Sequence, residues 1–196
     1  MLTFYIYHIA LFNYTFYITK NQRLEMFKTL SFLIILSLTG CARIITINST
    51  FSESDTNWIL KNGNNKITGQ GFMTTVAGDI KLCSGKVVKA FPVTAYSKER
   101  ISSIYGSENG GYSPFTEKIK ITGAPSGYKT LAKSTICDAQ GNFEFNNLPF
   151  GEYYVQTRVV WAASVTHYHT NWQGGYITKR VALTKKTPVQ KVLLSL

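Results

Sequence analysis

The sequence predicts an all-β domain behind an export signal, and three observations carry the prediction. Asn142-Phe143-Glu144-Phe145-Asn146 alternates polar and apolar residues in strict period two, which puts both phenylalanines on one face of a strand. Glu152 to Trp161 is an unbroken run rich in aromatic and β-branched residues, the composition that a pleated, half-buried surface favours. Beyond the signal no segment repeats apolar residues at a convincing helical spacing, although a short helix fits near Ser97 to Ile104.

In chain order, residues 1–25 come first as a greasy aromatic block with Tyr5, Tyr7, Tyr14 and Tyr17, ending in Lys20, Gln22 and Arg23. Two readings stand for it. One is a transmembrane helix over Leu2 to Ile18, interrupted by His8 and Asn13. The other, which we prefer, is an upstream extension outside the protein, with translation starting at Met26. Met26-Phe27-Lys28 is already a complete signal start.

Residues 26–40 read as a signal peptide. Lys28 supplies the positive charge, and the run from Thr29 to Gly40 is shorter than the about 20 apolar residues of a membrane-spanning helix. It closes in Leu38-Thr39-Gly40-Cys41, which resembles the lipobox of bacterial lipoprotein signal peptides. The resemblance implies that the Cys41 thiol receives a diacylglyceryl group, that the chain is cut before it, and that the new amino terminus is acylated. Three acyl chains exceed the two signals that stable anchoring needs. Ala42 follows Cys41, whereas in lipoproteins of diderm bacteria a residue such as Asp there favours the inner membrane, so the outer membrane is implied. A free cysteine behind an ordinary signal peptide or signal anchor is the alternative.

Residues 41–65 have the composition of a flexible tether, rich in Ser, Thr and Asn, with two apolar patches at Ile44-Ile45-Ile47 and Trp58-Ile59-Leu60. The second patch is expected to dock on the domain. The domain itself spans residues 66–196. Ile67, Gly69 and Gly71 alternate with Thr68 and Gln70 until Phe72 and Met73 interrupt the pattern. Val87 to Val93 is a second strand, in which Pro92 marks an edge or an exit. Residues 97–127, rich in Ser, Gly and Tyr, form a long insertion expected to be weakly structured. Asn147 to Gly151 reads as a turn between the two clearest strands. Tyr176 to Leu183 and Val189 to Leu196 close the domain, with Val192, Leu194 and Leu196 on one face.

Residues 41–196 carry eighteen Lys and Arg against nine Asp and Glu, a net +9 within the +11 of the whole chain. The basic residues are dispersed in sequence, among them Lys81, Lys86, Lys89, Lys118, Lys129 and Lys133, with no stripe or recognition helix. A nucleic-acid partner is therefore not expected; a solvated basic surface is, with attraction to anionic envelope polymers second. With Cys41 assigned to lipid, Cys83 and Cys137 remain, and an exported pair reads as one disulfide, against two buried free thiols.

The stretch from Cys137 to Val155 contains D-x-x-G-x-F-x-F-x-x-L-P-x-G-x-Y, and this resembles the signature of carboxypeptidase regulatory-like domains. That family implies a prealbumin- or immunoglobulin-like β-sandwich of about seven strands. The similarity covers roughly residues 66–94 and 130–196. Turn and core residues build the motif, so it specifies fold and says little about chemistry.

Candidate chemistry is sparse. His167 and His169 would share one strand face about 6–7 Å apart, close enough for a common metal, but no third ligand is apparent. No activated nucleophile or cofactor motif is present, so we expect no enzyme and no cofactor. Trp161, Tyr168, Trp172 and Tyr176 crowd one segment and are the candidate ligand contacts, since aromatics stack on sugar rings or anchor protein partners. The expected protein is a membrane-anchored envelope lipoprotein with a non-enzymatic binding or structural sandwich. Its expected partners are membrane lipid, through Cys41, and an envelope glycan or protein. The alternative is an enzyme or metal-binding protein using His167 and His169.

Overall fold

The computed structural model describes residues 42–166 and 169–196, with side-chain placements for all of these except 165, 166 and 169. Cys41, His167 and Tyr168 lie outside the described residues, as do the signal peptide and the upstream block. The elements are strands β1 (Arg43–Thr46), β2 (Asn65–Thr74), β3 (Ile80–Leu82), β4 (Val87–Pro92), β5 (Gly110–Pro114) and β6 (Ile119–Thr122), then β7 (Lys133–Ile136), β8 (Asn142–Leu148), β9 (Gly151–Thr166), β10 (His169–Leu183) and β11 (Val189–Leu194). Helix α1 (Ala95–Tyr105), a 3₁₀ turn (Asn57–Leu60) and a short helix (Gly127–Thr130) complete them. Among the described residues no helix is long and apolar enough to cross a membrane.

The protein is an all-β sandwich. One sheet has the order β5-β10-β9-β4-β7 and is antiparallel throughout. The other is built on β2, which pairs with β11 in parallel and with β8 and β3 antiparallel. Their inner faces share one core that includes Ile67, Val88, Phe145, Leu148, Val155, Ile177 and Leu194. Phe143 and Phe145 both point into it, as their period-two spacing requires.

The alternation on β2 runs further than the sequence suggested. Ile67, Gly69, Gly71 and Met73 are all buried, and Phe72 takes the opposite face, paired with Leu82. Glycine on the inner face makes room for bulky neighbours: a Cβ on Gly71 would stand 2.7 Å from Cys83 Sγ. Cys83 and Cys137 form a disulfide with Cα atoms 5.8 Å apart, just past the ends of β3 and β7, so it ties one sheet to the other.

The signature stretch folds for the reasons its residues suggest. The Asp138 carboxylate accepts from the backbone N–H of Asn142 (2.8 Å) and Gln140 (2.9 Å), while Gly141 turns at φ 77°. These bonds, that from Asn142 foremost, hold the Asp138 pKa below the usual carboxylate range. Leu148 plugs the core, and Tyr153 donates its hydroxyl back to the Pro149 carbonyl at 2.7 Å. Gly151, at φ 150°, leaves its surface bare, and the Trp58 ring lies over it with an edge on Tyr153, centroids 5.2 Å apart.

Trp58 thus docks on the domain as its apolar patch predicts, and the corrections begin with the rest of its segment. The segment expected as a flexible tether is built into the domain: β1 is a strand, the 3₁₀ turn buries Ile59, and Phe51 packs edge-on against Tyr96 and Tyr128. The insertion is ordered as well. Within it α1 covers Ser97–Ile104 and one further residue or more at each end, β5 extends the five-stranded sheet, and β6 pairs in parallel with β1. The two segments that looked unstructured thus hold one another, an arrangement that local sequence cannot signal. Helix α1 escaped the periodicity reading because Arg100 and Ser97 occupy positions on the turn around Tyr96 and Ile101. Its ends are still well marked, by a Thr94–Ser97 capping box and by Gly106 at φ 73°. Of the two readings of Pro92 the exit holds, since it is the last residue of β4, which lies inside its sheet; Leu196, by contrast, lies past the end of β11, 69% exposed.

Candidate ligand-binding site

The outer face of the five-stranded sheet carries the site. On β4, β9 and β10 the residues that point away from the sandwich core include Lys89, Phe91, Tyr154, Gln156, Arg158, Tyr176 and Thr178, and the pairings Lys89–Gln156, Gln156–Thr178 and Arg158–Tyr176 set them in rows. Helix α1 and the short helix cover part of this face. Phe91, Tyr96, Ile101, Tyr128 and Tyr154 form a second, mainly aromatic cluster beneath them, supported by Ile47 and Phe51 from the N-terminal segment. Phe91 and Tyr128 stack with centroids 4.9 Å apart and planes 6° from parallel.

Where that cover stops, a cavity of about 390 Å³ opens. The size lies within the roughly 300–1,000 Å³ of small-ligand pockets. Gln156 and Thr178 form its polar floor, and the Tyr105 hydroxyl behind them closes a hydrogen-bonded triangle. Gln156 Nε2 donates to the Tyr105 and Thr178 hydroxyls, and the Thr178 hydroxyl donates to Tyr105, each at 2.9 Å. Burial pushes the Tyr105 phenol above its ordinary pKa, so it stays protonated and its remaining O–H is a donor. The walls are aromatic and cationic: Tyr128 and Tyr176, with Lys86, Lys89, Arg100, Lys129 and Arg158. The Arg100 guanidinium carbon lies 4.9 Å from the Tyr128 ring centroid, and that of Arg158 lies 5.6 Å from Phe115.

The four aromatic candidates do not form one site. Tyr176, 37% exposed, lines the cavity; Trp172, 57% exposed, pairs with Ala162 on the part of the β9–β10 hairpin that extends past β4 and β5. Trp161 packs against the sandwich core. Tyr168 is outside the described residues, as is His167, and no group of metal-ligating side chains occurs among the described ones. Sequence reading missed Arg100, Tyr128, Gln156 and Thr178 altogether. It had Lys86, Lys89 and Lys129 only as dispersed charges, and β4 and the short helix bring these to one cavity. The outward positions of β9 offered a signal: Gln156 and Arg158 alternate with the inward Val155, Thr157 and Val159.

No family model matches the chain, and no curated protein is significantly similar to it. Among solved structures, a proposed carbohydrate-binding protein from Pseudomonas aeruginosa has a similar fold, with a TM-score of 0.63 at 24% identity over 76% of this chain and 99% of the other. A 9R-lipoxygenase from Cyanothece aligns at a TM-score of 0.28 and 10% identity, over 76% of this chain and 18% of its own, too low to carry any inference.

Proposed function

We propose that this chain is a lipid-anchored protein of the bacterial cell envelope, placed at the outer membrane, whose β-sandwich binds carbohydrate without turning it over. The observation that carries the reading is the cavity on the outer face of the five-stranded sheet. It combines a polar floor, Gln156 and Thr178 held in place by Tyr105, with the Tyr128 and Tyr176 rings in its walls. Sugars present hydroxyls at their edges and C–H groups on their faces, so such a pairing suits them. The lining holds no carboxylate, whereas glycoside hydrolysis ordinarily uses a pair of them. The likeness in fold to a proposed carbohydrate-binding protein supports the reading.

Pull-down on peptidoglycan and envelope polysaccharide tests the site. Tyr176→Ala is expected to weaken retention at least ten-fold while Trp172→Ala leaves it near wild type. Equal retention of wild type and Tyr176→Ala would remove this cavity from consideration. Mass spectrometry of the mature amino terminus tests the anchor: an acylated Cys41 is expected, and an unmodified thiol there rejects it.

A further inference from the structure

We infer that the saccharide held in this cavity is anionic, its carboxylate, sulfate or phosphate group received by Arg100 with Lys89 and Arg158. This rests on the carbohydrate reading of the same cavity and adds the ligand's charge to it. Five cationic side chains line the cavity and no acidic one does. Among the described residues none of the five takes part in an ion pair. The carboxylates are engaged elsewhere: Glu117 with Arg43, Glu144 with Lys66, Asp79 with Lys81, and Glu108 and Glu152 with Arg180. Glu99 adjoins Arg100 in sequence but accepts from the backbone N–H of Asn48 (2.8 Å) and Ser49 (2.7 Å) instead. The positive charge of the cavity is therefore uncompensated from within the described fold.

Arg100 makes the charge specific. Its Nη1 is buried and has no hydrogen-bond partner, while the guanidinium sits over the Tyr128 ring. A buried guanidinium nitrogen without an acceptor loses its hydration and gains nothing in return. Arg100 lines the cavity, so turning its guanidinium toward an oxyanion there gives Nη1 the missing acceptor, and the planar fork of arginine matches two oxygens of one carboxylate, sulfate or phosphate. Its place over the Tyr128 ring restricts the side chain in advance, which lowers the ordering cost of binding. The Gln156–Thr178 floor is then left for the neutral hydroxyls of the same sugar.

The full chain, held in a polyoxyethylene detergent that carries no sugar, is screened on an array of uronate, sulfated and phosphorylated oligosaccharides. Their methyl-esterified, desulfated and dephosphorylated counterparts are printed beside them. Inorganic phosphate and poly-glutamate are added by calorimetry. Acidic members are expected to bind at least ten-fold tighter than their neutral counterparts. Arg100→Gln should cost at least ten-fold for the acidic set alone, with an unchanged melting temperature as the folding check. If Arg100→Gln does not fold, the Lys89→Gln, Arg158→Gln double variant decides, with the same loss expected.

Equal binding of acidic and neutral members, still lost in Tyr176→Ala, overturns the anionic inference and leaves the carbohydrate reading standing. Binding of inorganic phosphate without any saccharide overturns both, as does tighter binding of poly-glutamate than of every saccharide. Undiminished acidic binding by a folded Arg100→Gln variant overturns the assignment of the site.

Discussion

The two hydrophobic clusters of this domain are separated by one sheet and differ in almost everything else. The inner one, between the sheets, is largely aliphatic, is crossed by the Cys83–Cys137 disulfide, and draws on β2, β4, β8, β9, β10 and β11. The outer one, on the far face of the five-stranded sheet, is mainly aromatic and is roofed by α1, the short helix and the N-terminal segment. The inner cluster is closed on both sides. The outer one stops short and leaves a cavity with five cations and a polar floor. Stability and recognition are thereby divided between the two faces of the same strands, since alternate residues of β9 serve one or the other: Val155 and Val159 inward, Tyr154 and Gln156 outward.

The sharpest way to break this division is to injure the inner cluster and look for damage outside it. Phe145→Ala removes a buried ring and is expected to cost about 3–5 kcal/mol in urea unfolding. Because every strand of the cavity floor depends on that core, ligand binding and fold should fail together. Removing the disulfide with a Cys83→Ser, Cys137→Ser pair opens a loop with a sequence separation of 54. The chain-entropy relation gives roughly 4 kcal/mol for it, read as a melting temperature about 10 °C lower. At ordinary temperature the cavity should still bind, which distinguishes the tie between sheets from the recognition face.

Outer changes should do the reverse. Tyr128→Ala takes out a ring stacked on Phe91 and lying under Arg100, in a cluster already open on one side. We expect about 2–3 kcal/mol in unfolding, less than for Phe145, but at least a ten-fold loss of saccharide binding. A larger stability loss than that of Phe145→Ala would show the outer layer to be part of the folding core.

The smallest effect is a local one. The backbone N–H groups of Asn48, first, and Ser49 hold the Glu99 carboxyl below its usual pKa. A group depressed in the folded state stabilises above its unfolded pKa, and that contribution is lost as pH falls through the folded value. The protection of the Asn48 and Ser49 amides against exchange, taken relative to their intrinsic rates, should therefore fall on acidification below about pH 4, before global unfolding. Glu99→Gln should lower the same protection at neutral pH. Unchanged exchange in that variant would separate the N-terminal segment from α1.

The inner cluster was legible because its pattern is local. Phe143 and Phe145 two residues apart, the alternation from Ile67, and turn residues Asp138, Gly141, Pro149 and Gly151 each report their own surroundings. The outer layer gave few such signs. Ile45 and Phe51 look like scattered apolar residues in a polar segment until β6 and Tyr96 are there to receive them. The site fared the same way. Tyr176 was singled out and does line the cavity, whereas Trp161 went to the core and Arg100 was passed over because a lone arginine in a helix has no pattern.

The sequence by itself determined an all-β fold and the strands that build its core, since side-chain alternation and turn chemistry act over a few residues. Only the tertiary structure decided that the apparent tether and insertion form a third layer, and that Lys86, Lys89, Arg100, Lys129 and Arg158 meet around one cavity. Those contacts join segments far apart in the chain, and their free energy exists only once the five-stranded sheet has formed a face for them to cover.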